Sequence, residues 1–71
     1  MKLHYYSETD SLYIELNSRP SADSREIVDG LVADFDENGN VVGIDIDHAS
    51  SKLDLDTLES ESLPLPAAAH G

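Results

Sequence analysis

Two alternating segments, one starting at Leu31 and one from about Asn40 to Asp47, flank Asn38-Gly39, and this arrangement constrains the fold more than any other feature of the chain. Asn and Gly both tolerate positive φ, which a two-residue type I′ turn requires, and the twist of that turn matches the twist of paired strands. The segment therefore reads as a β-hairpin. A two-residue loop sets Phe35 opposite Val42, Ala33 opposite Ile44 and Leu31 opposite Ile46. These six side chains share one face, and Asp34, Asp36 and Asp45 fall on the other. The hairpin thus has an apolar face for a core and an acidic face for water or a partner.

The remaining strands follow from the same period. Leu3–Tyr6 is a short first strand, and Ser7–Ser11 is a polar turn. Leu12, Ile14 and Leu16 alternate with Tyr13 and Glu15, the pattern of a strand covered on one side. Pro20 lacks a ladder donor and restricts Arg19, so residues 17–21 form a loop. A third strand spans Ser24–Val28 and turns at Asp29-Gly30 into the fourth. The sequence predicts a mainly β (α+β) fold: a small antiparallel β-meander of four to five strands. Leu12, Ile14, Leu16, Leu31, Ala33, Phe35, Val42, Ile44, Ile46 and Leu58 form its expected core. Beyond Ala49 the period changes, and Asp54 or Asp56 suits the cap of a short C-terminal helix over residues 54–59. The Leu53, Leu55 alternation also allows a short extended segment first. Residues 1–59 make one domain, and residues 60–71, with Pro64 and Pro66, are expected to be a disordered tail.

A chain of 71 residues buries a modest fraction of its surface, so its stability is expected to be marginal. A homodimer, or a partner over the apolar face, would relieve that shortfall. The chain has no cysteine, so it holds no disulfide and no thiolate ligand or nucleophile, which suits a cytoplasmic location. No apolar run approaches the roughly 20 residues of a membrane span, and Met1–Tyr6 does not read as a signal peptide. Fifteen acidic residues against four basic ones give a net charge of −11. Nucleic acid and anionic lipid are excluded as direct partners, because binding them relies on neutralising phosphate. The charge keeps a small β-protein soluble and attracts basic proteins.

Tyr6, the Asp10–Leu16 block, Asp29-Gly30 and the Asp36–Ile46 block together carry a family pattern. The chain resembles the short bacterial proteins grouped as domain of unknown function 2283, over about residues 1–58. The resemblance implies a small β-meander with a C-terminal helix and hints at gene pairing with small toxin-like proteins. It brings no catalytic residue.

Asp34-x-Asp36-x-Asn38-Gly39, with Asp45 in the twelfth position, also matches the opening of a calcium loop. Asp45 replaces the bidentate Glu, Val42 replaces a ligand, and the flanks are strands. A tight hairpin cannot wrap a cation with the same residues, so the hairpin reading prevails. Asp47-His48 is not an acid–base pair, since neighbouring strand residues point to opposite faces. Ser50-Ser51-Lys52 is turn and cap chemistry. Neither a nucleophile elbow nor a phosphate loop occurs. Tyr5, Tyr6 and Tyr13 are expected to form an aromatic cluster near the first hairpin, suited to a core or interface because each buries a ring while its hydroxyl stays wet.

The expectation is a non-catalytic, cofactor-free binding module, antitoxin-like in role, that engages a basic protein. Glu15, Asp34, Asp36, Asp45 and Asp47 carry the contact, and Tyr13 anchors it. The alternative is a divalent-cation or small-ligand site on Asp34, Asp36 and Asp45.

Overall fold

A computed structural model describes residues 1–64. Five strands, β1 (Lys2–Tyr6), β2 (Ser11–Glu15), β3 (Asp23–Val28), β4 (Leu31–Phe35) and β5 (Val41–Ile46), form one antiparallel sheet, followed by a single-turn helix, α1 (Ala49–Lys52). The strands lie in the order β1-β2-β5-β4-β3. The expected meander holds for β3-β4-β5, and the β1-β2 hairpin docks on the free edge of β5. The β2–β3 connection is therefore a crossing to the far edge rather than a hairpin.

That crossing passes around the tip of the β4–β5 hairpin and is fastened there. Leu16 N–H donates to the Val42 carbonyl (2.9 Å), and Ala22 N–H donates to the Phe35 carbonyl (2.7 Å). Between them, Arg19 Nε lies 3.0 Å from Asp36 Oδ2. The other Asp36 oxygen, Oδ1, accepts the backbone N–H groups of Asn38 and Asn40, both at 2.9 Å. These donors, led by Asn40, and the nearby guanidinium hold the Asp36 carboxyl below its ordinary value.

The tip differs from the expected two-residue turn. Asp36 N–H donates to the Asn40 carbonyl and Gly39 N–H to the Asp36 carbonyl, so residues 37–39 form a three-residue loop. Gly39 has φ 83°, whereas Asn38 is not in the left-handed region. The longer loop slips the register by one, setting Phe35 opposite Val41. Val42 is the extra residue of a bulge, which restores Asp34↔Gly43, Ala33↔Ile44 and Leu31↔Ile46. Capture of two backbone donors by the Asp36 side chain explains why the wider loop replaces the type I′ turn.

Pairing sorts the side chains into cross-strand rows. One face carries Leu3–Ile14–Ile44–Ala33–Arg25 and Tyr5–Leu12–Ile46–Leu31–Val28. The other carries Lys2–Glu15–Gly43–Asp34–Ser24 and His4–Tyr13–Asp45–Val32–Glu26. On the apolar face Leu12, Ala33, Val42 and Ile46 are buried, and Ile14, Leu16, Leu31, Phe35 and Ile44 are half-buried. Arg25 lies over the Phe35 ring, 4.1 Å from its centroid.

The helix is also displaced from its expected position. It occupies residues 49–52 because Asp10 holds it from the β1–β2 turn. Asp10 adopts φ 54°, a left-handed conformation that Asp tolerates. Its carboxylate accepts Ser50 N–H (3.0 Å), Ser50 Oγ–H (2.7 Å) and Tyr5 O–H (2.7 Å), and its carbonyl accepts Ala49 N–H (2.9 Å). These hydrogen bonds, those of Ser50 and Tyr5 above all, lower the Asp10 carboxyl below its ordinary value. Ala49 is sealed beneath this clamp at 0 % exposure.

Residues 54–57 make only a turn, closed by Thr57 N–H to the Asp54 carbonyl (3.2 Å). Leu58, expected in the core, is 82 % exposed because no helix forms to turn it inward. The expected tail begins at Ser60. Residues 60–64 carry neither helix nor strand, and residues 65–71 lie outside the described residues. Among the described residues, no helix is long and apolar enough to cross a membrane.

Candidate functional site

The acidic face of the sheet gathers most of the polar residues singled out in the sequence. Its centre is a contact spanning three strands. The Tyr13 ring leaves β2, passes over Gly43 of β5 and reaches β4, where its hydroxyl donates to Asp34 Oδ2 at 3.0 Å. A Cβ on residue 43 would overlap the Tyr13 hydroxyl and lie 2.6 Å from its ring carbon Cζ. The ring therefore lies along the sheet instead of standing off it. A glycine in the middle of a strand often marks such a close approach. It is the one signal in the sequence that identifies Gly43 as part of the site.

Asp34 is fully engaged, since its Oδ1 accepts the Ser24 hydroxyl at 2.6 Å while Oδ2 holds Tyr13. Asp45 is directly opposite Tyr13 in the pairing with β2 and diagonal to Asp34. Among the described residues its Oδ1 is buried without a hydrogen-bond partner. Burial, then the negative charges of Asp47 and Asp34, raise the Asp45 carboxyl above its ordinary value. Burial and the Asp34 carboxylate likewise raise the Tyr13 hydroxyl. Glu15 sits in the Gly43 row on the flank of the Tyr13 ring, and Asp47, just beyond β5, accepts the Ser11 hydroxyl at 3.3 Å.

Tyr13, Glu15, Asp34, Asp45 and Asp47 thus share one side of the sheet. Asp36 does not join them. It is buried at the hairpin tip, with both oxygens committed to its own loop and to Arg19. The tyrosines do not form one cluster, because Tyr5 belongs to the apolar face and Tyr6 to the acidic one. Tyr6 stacks on His4 there, with ring centroids 6.2 Å apart. No local pattern points Asp10 to its role as a clamp, since Ser50 lies 40 residues away.

Chemically, this face is an aromatic platform edged with carboxylates. Among the described residues Glu15 and Asp45 accept no side-chain hydrogen bond, whereas Asp34 accepts two, and Asp36 accepts two on Oδ1 and faces Arg19 with Oδ2. The alternative cation site on Asp34, Asp36 and Asp45 would need Asp36 to leave the tip. Among the described residues, no group of three His, Asp or Glu side chains is arranged to hold a metal ion.

A family model described as a protein of unknown function (DUF2283) matches residues 2–50, ending at the Ser50 that Asp10 clamps. The match is shorter than the expected span to residue 58. An uncharacterised protein of Methanocaldococcus jannaschii, MJ0789, is 38 % identical over 56 residues, which cover 79 % of this chain and 47 % of that protein. The chain therefore spans about half the length of that relative. No solved structure matches it. The sheet that carries the Tyr13–Gly43–Asp34 contact coincides with the matched residues, and the chain belongs to the DUF2283 family of proteins of unknown function.

Proposed function

We propose that this chain is a non-catalytic binding module whose acidic–aromatic sheet face takes up lysine and arginine side chains of a basic protein. The observation that carries this reading is the Tyr13 ring laid across Gly43 with Asp45 and Glu15 beside it. A ring lying along a sheet offers its π face outward. A cation over such a face gains about 0.5–1 kcal/mol at an exposed site.

The neighbouring carboxylates add a favourable potential for the same cation, and the half-buried setting of Asp45 is screened less than open surface. The His4–Tyr6 stack on the same face extends the aromatic area toward β1. A net charge of −11 speeds encounter with a basic partner and disfavours phosphate-rich ones.

Fluorescence anisotropy of a labelled lysine- and arginine-rich peptide tests the proposal. Affinity should fall steeply with added salt. Tyr13→Leu should weaken binding by about two- to fivefold, the range expected for a lost exposed cation–π contact. A peptide that binds Tyr13→Leu combined with Asp45→Asn as tightly as the parent chain would rule out this face.

A further inference from the structure

We infer that the apolar face of the sheet is closed by a second copy of this chain, related by a two-fold axis running along the central strand β5. The inference concerns the side of the sheet opposite the acidic site and stands independently of it. Domains pack two layers of secondary structure around one core, yet here the described residues supply one sheet and a partial cover. No large side chain among them is fully buried. The cover is the segment after α1, whose Leu53, Leu55 and Leu58 form a groove with Leu3, Tyr5 and Leu12 above the β1–β2 half. The groove leaves Leu3 and Tyr5 of β1 47 % and 48 % exposed, Val28 at the β3 edge is 61 % exposed, and Leu31, Phe35 and Ile44 between them are half-buried.

A face whose exposed apolar residues lie at its two edges is complementary to itself under an operation that exchanges those edges. Rotation about an axis along β5 exchanges the two edges of the order β1-β2-β5-β4-β3. Each copy's β1 edge and 53–59 segment then lie over the β3 edge of the other, so that Leu3, Tyr5, Leu55 and Leu58 face Leu31 and Val28. Charge agrees with this pairing. Arg25 marks the β3 edge of the apolar face, and Asp54, Asp56 and Glu59 lie in the segment at the opposite edge. The rotation brings Arg25 of each copy to the acidic segment of the other, and it leaves Glu15, Asp34 and Asp45 pointing outward on both sides. A basic partner finds its complement on the opposite face, so self-association suits this one better.

Because the contact is isologous, every favourable pair counts twice.

Sedimentation equilibrium of the full 71-residue chain tests the inference. The expected mass is twice the 7.7 kDa of one chain. Leu55→Glu changes an exposed residue, so it leaves the circular dichroism spectrum intact and shifts the population to monomer. Arg25→Glu should weaken the dimer by up to about tenfold, as two exposed ion pairs permit. Combining it with Asp54→Arg and Asp56→Arg should restore the dimer. A monomer up to millimolar concentration would overturn the inference. A dimer indifferent to Leu55→Glu, or not restored by the charge exchange, would overturn it equally.

Discussion

Tyr13 and Asp34 are bonded across the strand that separates them, and the bond exists because residue 43 has no side chain. This geometry joins three strands through one aromatic ring. It also exchanges the packing that a β-branched residue would give β5 for a flat platform on the acidic face.

The platform makes a coupled prediction. Gly43→Ala forces the Tyr13 ring off the sheet and should cost about 1–3 kcal/mol, as overpacking does. In a Tyr13→Ala background the same change should be neutral or stabilising, because the obstruction is gone and alanine suits a strand better than glycine. Urea unfolding of the four proteins in the cycle checks this, with a coupling of about 0.5–3 kcal/mol expected.

The hairpin tip separates two turn geometries. Only Gly39 has positive φ, so Gly39→Ala should cost about 1–2 kcal/mol. Asn38→Ala, at an exposed position outside the left-handed region, should stay within about 0.5 kcal/mol. Equal penalties in thermal unfolding would restore the type I′ turn that the sequence suggests.

Stability should pass through a maximum in mildly acidic solution. Asp45 is held above its ordinary value of 3.8, so between that value and its folded one the native chain binds more protons than the unfolded chain. Stability therefore falls as pH rises through that window. Asp10 and Asp36 are held below 3.8, so their stabilisation is complete above that value and is lost as pH falls through their folded ones. Asp45→Asn should flatten the upper limb and leave the acid limb in place, as followed by denaturant unfolding across pH.

Much of this is written in the alternation of the strands. Leu12, Ile14, Leu31, Ala33, Ile44 and Ile46 declare one face, and Tyr13, Glu15, Asp34 and Asp45 the other, because a pleat repeats every two residues. What stays hidden depends on partners distant in sequence. The helix starts at Ala49 because of a carboxylate 40 residues earlier. The order of strands rests on a crossing fastened by Arg19 to Asp36, and no local pattern announces that pair. Asp36 reads as one of the acidic row, yet it is the residue that closes the tip. Gly43 is a glycine within a strand, and its purpose shows only once Tyr13 is laid over it.

The most direct test of the acidic–aromatic face is a heteronuclear NMR titration of the full chain with a lysine- and arginine-rich peptide. The shifted amides should cluster at Tyr13, Glu15, Gly43 and Asp45, with the effect fading as salt is added. Shifts confined to the acidic segment from Asp54 to Glu61, with the sheet silent, would contradict the proposed role of this face.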